Sequence, residues 1–418
     1  MRGIPPPFRW LALGLVLAAL TPWTPLAARG AAEAGEVRAL WVTRTTLTSP
    51  ETIRAMVQSA SAGGFNTLLV QVRGRGDAYY RSSLEPRAPE LAARPDFDPL
   101  AETLRLAHVA GLQVHAWVNL NLVSSAATLP ASRDHIVYRH PEWLMIPRDL
   151  ANEMATIDPR SPEYIGRLAR WSRARATDVE GLYTSPLQPA VGEHLAAVVT
   201  ELATNYAIDG IHFDYARFPN ASFDYSRTAL NLFKQSILGE LSAAERRGAE
   251  ASERLDPFAY QNLFPERWSA FRRARMTSLV MRLRTAVKTS RPEAIVSAAV
   301  VPDAHDAFTG RLQDWRTWLD QGLIDVLCPM AYTQDARIFE SQISAARALA
   351  GLRPVWAGIG AYRLSRAQTV QHITAARQVG AAGVVLFSYD ALVSPPNNAT
   401  SLAELGRAVF PAGNGSPR

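Results

Sequence analysis

The chain has 418 residues, 48% hydrophobic and 20% charged, with a formal net charge of +6. That is the balance of a globular protein, long enough for one large domain or two or three smaller ones. Arg2, Arg9 and Arg29 lie in a leader-like stretch and without them the charge is +3; no Lys/Arg cluster interleaved with aromatics occurs elsewhere, so nucleic acid is set aside as a partner.

The first element is a secretory signal, expected over residues 1–32. Arg2 and Arg9 supply its positive end, and Trp10–Leu20 an apolar core too short to span a bilayer. Small residues follow in Pro25–Ala34, which places cleavage between about Ala27 and Gly35. The expectation is a protein exported to the periplasm or medium, with no stable membrane insertion after cleavage. Cys328 is the only cysteine, so no internal disulfide forms and a cysteine-rich zinc or redox centre is excluded. Its place in the apolar run VLCPMAY makes it a buried thiol without a catalytic role.

From residue 35 to 412, short apolar runs alternate with amphipathic ones. The runs are Val37–Thr43, Thr67–Arg73, Gln113–Asn119, Gly210–Tyr215, Ala294–Val301, Asp325–Tyr332, Val355–Tyr362 and Gly383–Tyr389. Their Val, Ile, Leu and aromatic content fits buried parallel strands. Between them lie helical patterns, among them Pro50–Ala62, Pro99–Ala110, Glu193–Tyr206, Trp268–Lys288, Ala336–Ala350 and Arg366–Val379. Several end in glycine, as at Gly63, Gly111, Gly322, Gly351 and Gly380. Eight strands alternating with helices predict an α/β fold, a (β/α)8 barrel, in one domain over 35–412. Long insertions after strands three and four should stand over the face where barrels keep their chemistry.

Polar residues gather at the predicted strand ends. They are carboxylates, arginines, amides and aromatics, without a Ser-His-Asp signature. Such a set suits carbohydrate: carboxylates for proton transfer or attack, aromatic faces for sugar rings, amides and arginines for hydroxyls. Within DGIHFDYARFP (Asp209–Pro219), period two turns Ile211 and Phe213 outward and His212 and Asp214 into the barrel mouth. Asp214 is the first candidate catalytic carboxylate, with Asp77 and Asp303 competing for the second. Arg73 would orient Asp77 or a substrate group. Trp117, Asn119, His212, Tyr215, Arg217, Tyr332, Asp335 and Tyr362 are the candidate substrate contacts. His115, His212 and His305 fall on different strands, and neither HxH nor HExxH spacing occurs. No cofactor is called for; a metal-dependent hydrolase or deacetylase is the weaker alternative.

At these residues the chain resembles the glycosyl-hydrolase-like family that includes the divisome-localised hydrolases of denuded peptidoglycan glycans. The resemblance rests on EVRALWVTR (36–44), FNTLLVQVRGRGDAYYRSSLEP (65–86), FDPLAETLRLAHVAGLQVHAWVN (97–119), DGIHFDYARFP, LIDVLCPMAYT (323–333) and GIGAYR (358–363). It implies a barrel glycosidase whose partner is a glycan, peptidoglycan strands first. A more distant likeness to family-18 chitinases breaks at one point: Ala216 stands where their strand-four glutamate acid would be, and alanine donates no proton. A non-catalytic glycan-binding barrel is therefore the other reading at this level.

Overall fold

The computed structural model describes Met1, Gly3 and residues 35–394 and 399–410. Glu36–Arg418 forms one unit, divided from Met1–Gly35; apart from Met1 and Gly3, the expected leader lies outside the described residues.

Eight parallel strands close into a barrel: β1 (Val37–Val42), β2 (Thr67–Arg73), β3 (Gln113–Asn119), β4 (Gly210–Asp214), β5 (Ile295–Val300), β6 (Val326–Ala331), β7 (Trp356–Ile359) and β8 (Gly383–Phe387). Each pairs with its neighbour in sequence, and β8 closes on β1 through Val37–Trp41 and Gly383–Phe387. One helix of the surrounding ring follows each strand: α1 (Pro50–Ala62), α2 (Pro99–Val109), α3 (Pro189–Asn205), α4 (Pro265–Ser290), α5 (Trp315–Asp320), α6 (Ala336–Ala350), α7 (Arg366–Gln378) and α8 (Ala399–Val409).

Local chemistry starts and stops these helices. Pro50, Pro99, Pro189 and Pro265 open α1 to α4, where a missing N–H costs nothing. Ser49 and Ser365 form capping boxes with Thr52 and Gln368. At the exit of α1 the left-handed residue is Gly64 (φ 71°) and not the expected Gly63, whose φ is −80°. Most strands stop one or more residues short of the expected ends, because the rim residues leave the ladder and turn over the mouth.

The strands bury both faces. Outward residues such as Leu40, Val70, Ile211 and Phe213 pack under the helices. Inward residues form a second cluster of Ala39, Trp41, Leu69, Trp117, Val326, Cys328, Trp356 and Val385, so the barrel is a filled core and not a pore. The fit is tight around Trp41: a Cβ on Gly358 would come within 2.9 Å of its ring. Cys328 is fully buried in this plug, and burial pushes its thiol pKa well up, which makes it a poor nucleophile. Among the described residues no helix is long and apolar enough to cross a membrane.

Candidate active site

The plug ends below a cavity of about 840 Å³ at the C-terminal ends of the strands. Seven aromatic side chains line it: Trp41, Trp117, Tyr183, Tyr215, Tyr332, Tyr362 and Phe387. Tyr332 stacks on Phe387 with centroids 5.5 Å apart, and Tyr362 meets both rings edge-on. Four arginines, Arg44, Arg75, Arg217 and Arg311, share the walls with Asp178, Glu180, Asp214 and Asp306.

Asp214 is the last residue of β4 and only 6% exposed. The backbone N–H of Tyr215 donates to its Oδ1 at 2.6 Å, and Arg217 Nη1 donates to the same oxygen at 2.9 Å. Both bonds fall on Oδ1; among the described residues none reaches Oδ2, the oxygen left to a substrate. Burial pushes the Asp214 carboxyl above the ordinary range, against the opposing pull of Arg217 and the Tyr215 N–H. Burial works against the charge of Arg217, but Asp214 outweighs it and keeps the guanidinium firmly protonated. Tyr215 itself has φ 53°, a left-handed conformation that a bulky residue adopts only under local constraint. That turn aims its N–H back at Asp214 and lays its ring under Arg217, 4.1 Å from the guanidinium carbon.

The insertions build the walls. After β3 the chain runs out and back, with Leu122 bridged to Tyr183 and Leu144 to Thr184. Asn121 Nδ2 donates to Thr184 O at 2.8 Å and holds the return. The return brings Glu180 to the cavity, where Tyr183 Oη donates to its Oε2 at 2.8 Å. After β4, Pro219 and Asn220 complete the opposite lip. Two carboxylates in contrasting environments, Asp214 buried and Glu180 exposed, thus face one aromatic-lined space. Such a pair can divide the labour of acid and of base or nucleophile.

Of the residues named from sequence, Trp117, Asn119, Asp214, Tyr215, Arg217, Tyr332 and Tyr362 line this cavity. Asn119 is held from both sides: it accepts from Trp117 Nε1 at 2.9 Å and donates to Gly74 O at 2.7 Å. Five others are placed differently. Arg73 does not line it. A register shift between Gln71 and Arg73 breaks the period-two alternation of β2. Arg73 is therefore fully buried against Glu85, 2.6 Å away, and also donates to the carbonyls of Asn119 and Leu120. Burial alone would raise the Glu85 pKa, but Arg73 and His194 hold it at about 2. His212 lies beneath the floor. Trp41 Nε1 donates to its Nε2 at 3.0 Å, so the ring proton sits on Nδ1 and faces Ser297 Oγ at 2.9 Å. Burial drives its pKa down to about 3, leaving a neutral support for Trp41. Asp303 is an exposed N-cap accepting from Asp306 N at 2.7 Å, and Asp335 caps α6 through Arg337 N and Ile338 N. Short polar side chains just before a helix are drawn to its free N–H groups, and sequence position alone did not separate that use from catalysis. Asp77 faces a neighbouring side cavity, its Oδ1 accepting from Arg75 N at 2.9 Å.

Sequence reading passed over Glu180, Arg75 and Arg311 and left Arg44 and Gln71 without a role. Gln71 continues the inward set of β2 after Leu69, a legible signal, whereas Arg44 lies two residues past the end of β1. Glu180 sits inside a 69-residue connection between β3 and α3, where no periodicity says which residue folds back. Among the described residues no three His, Cys, Asp or Glu side chains gather as a metal-ligand set; His115 and His212 are buried inside the barrel and His305 is exposed beyond β5.

A family model described as "Glycosyl hydrolase-like 10" matches residues 36–362. The chain is 24% identical over 297 residues to glycosyl hydrolase DigH of Escherichia coli K12, covering 64% of this chain and 55% of that protein. It is 23% identical over 294 residues to glycosyl hydrolase YngK of Bacillus subtilis, covering 64% and 46%. The chain thus spans about half the length of the curated relatives it matches. Among solved structures, the glycoside hydrolase domain of PgaB (BpsB) from Bordetella bronchiseptica superposes with a TM-score of 0.61 at 15% identity, covering 89% of this chain and 99% of that one. The catalytic domain of β-amylase from Paenibacillus polymyxa gives 0.59 at 11% identity, covering 90% and 99%. At these identities the likeness is one of fold.

Proposed function

This chain belongs to the glycosyl hydrolase-like 10 family, and from that premise we propose that it is an exported glycosidase acting on a bacterial glycan, with peptidoglycan strands as its substrate. One observation carries the reading: a buried carboxyl, Asp214, held by Arg217 and the strained Tyr215 turn at the base of an aromatic-lined cavity. Sugar rings seat on Trp117, Tyr332 and Tyr362. Asp214, whose pKa burial raises, serves the glycosidic oxygen, and Glu180 serves as the second carboxylate, activating water or attacking the anomeric carbon according to their separation on substrate. Peptidoglycan is favoured by the resemblance carried in QVR…GDAYY…EP and DGIHFDY. Export is favoured by the apolar Trp10–Leu20 core and the small residues after it; an N-terminus between about Ala27 and Gly35 on protein recovered outside the cytoplasm is the expected finding.

Ala216 keeps a second reading in play. It is fully buried, its carbonyl accepting from Gln313, so the chitinase-type acid position is filled by core. A barrel that binds glycan without cutting it is compatible with that. Mass spectrometry of products from chitin, cellulose-type glucans, intact peptidoglycan and amidase-treated peptidoglycan separates the two. New reducing ends on peptidoglycan support the proposal; binding without product supports the second reading.

A further inference from the structure

Arg75 lies two residues beyond Arg73, and its surroundings are opposite. Its backbone is pinned at both ends: the N–H donates to Asp77 Oδ1 at 2.9 Å, and the carbonyl accepts from His135 Nε2 at 2.7 Å. Its half-buried side chain makes no hydrogen bond or ion pair among the described residues, although it lines both the main cavity and the side cavity next to it. Arg44 lines the same two spaces. It donates through Nη1 to Gln71 Oε1 at 3.0 Å, and among the described residues no carboxylate stands within ion-pair distance of it. Its side chain lies flat on Gly74, where a Cβ would come within 2.6 Å of its Cδ. The stretch Gly74-Arg75-Gly76-Asp77 thus brings Arg44 and Arg75 together where the two cavities meet, and Arg75 is shifted down, by burial first and by Arg44 next.

A guanidinium half-withdrawn from water without a carboxylate bonded to its fork is costly, and a carboxylate accepting from two such forks relieves that cost. Asp77 and Glu90 also line the side cavity, and Asp77 partly supports the charge of Arg75; its Oδ1 is taken by the Arg75 backbone N–H, so the two guanidinium forks are left for an added anion. We propose that Arg44 and Arg75 form a subsite for a carboxylate borne by the sugar next to the bond that is cut. This rests on the glycan reading above and adds the chemistry of its recognition. Two sources offer that group: the ether-linked carboxylate of a muramic residue freed of peptide, and the ring carboxylate of a uronic acid.

The test measures binding and turnover separately. Oligosaccharides of amidase-treated peptidoglycan and of a uronic-acid glycan are titrated calorimetrically into the Asp214→Asn protein, before and after carbodiimide–borohydride reduction of their carboxyls. At least one native glycan should bind about 10-fold to 100-fold more tightly than its reduced form, and which one does identifies the source. Adding Arg75→Gln or Arg44→Gln should abolish that difference, Arg75→Lys should restore part of it, and thermal melts should show every variant folded. Equal binding of native and reduced forms, no binding of either glycan, or equal weakening of both forms by Arg75→Gln overturns the subsite. Carboxylate-dependent binding with no turnover by the wild type sinks the glycosidase reading and leaves the subsite standing. Turnover whose KM ignores carboxyl reduction does the reverse.

Discussion

Inside the barrel, Trp41, His212 and Ser297 bond to one another, and just outside it Arg73 closes on Glu85 and two carbonyls. At the mouth, Asp214 keeps Oδ2 open, Glu180 stands exposed, and Arg44 and Arg75 face the cavity without a carboxylate partner among the described residues. The same strands supply both regions. These buried groups are satisfied by the protein, as most buried polar groups are, although His115 inside the barrel finds no partner for either ring nitrogen among the described residues; those at the rim carry unspent bonding capacity, which is what a substrate can use. Partnering, more than residue type, separates structure from function here.

The sharpest way to break this comparison is at Asp214. Asp214→Asn keeps the shape and removes the acid, and turnover on the best glycan should fall about 10²–10⁴-fold in a protein that stays folded, with some loss of melting temperature because Arg217 loses its charged partner; Glu180→Gln should show a comparable loss of turnover. Since burial raises the Asp214 pKa, activity that depends on its proton should decline on the alkaline side, and Asp214→Asn should leave no such limb. Full turnover in Asp214→Asn would remove the site from this cavity.

Next comes the closed pair. Arg73→Met leaves Glu85 buried with only His194 beside it, and denaturant unfolding should show a loss of about 3–5 kcal/mol. The folded fraction should keep its kcat; a loss of kcat without a loss of stability would move Arg73 to the functional side.

Acid should destabilise the fold through the barrel interior. His115 and His212 are fully buried, with pKa values lowered by burial to about 4 and about 3. Below an unfolded pKa of about 6.5 the unfolded chain takes up protons that the folded one refuses, so stability falls as pH drops from there toward 4. The ceiling is about 3 kcal/mol for each imidazole. Glu85 adds to the loss below its unfolded range, whereas Asp214 and Asp224, shifted upward by burial, work against it. Melting temperatures from pH 7 to pH 4 should show the slope, and His115→Phe should flatten part of it; an unchanged slope would reject the account.

The smallest effect is expected at Asp303. Its carboxylate caps a short helix, Ala304–Thr309, and Asp303→Ala should cost about 1 kcal/mol and leave turnover intact. A large loss of activity in a stable variant would return it to the catalytic candidates.

The sequence by itself determined the barrel. Eight apolar runs and the helices between them are local patterns, and each strand buries both faces, so composition and period identify it wherever it sits. It also determined which face of β4 looks inward, because alternation is a property of the chain, and this placed Asp214 correctly. Tertiary structure alone decided the partners. Arg73 and Arg75 read alike in QVRGRGD, and only the register shift in β2, with Glu85 twelve residues on, sends the first to a buried ion pair. Alternation points His212 toward the mouth as a substrate contact, whereas Trp41, 171 residues away, donates to it and makes it part of the floor. Glu180 reaches the cavity because Asn121 and Tyr183 fold a long insertion back over the mouth. Hydrogen-bond partners far apart in the chain leave no periodic trace, so whether a polar residue is spent on the fold or kept for a ligand is settled only when the chain has closed.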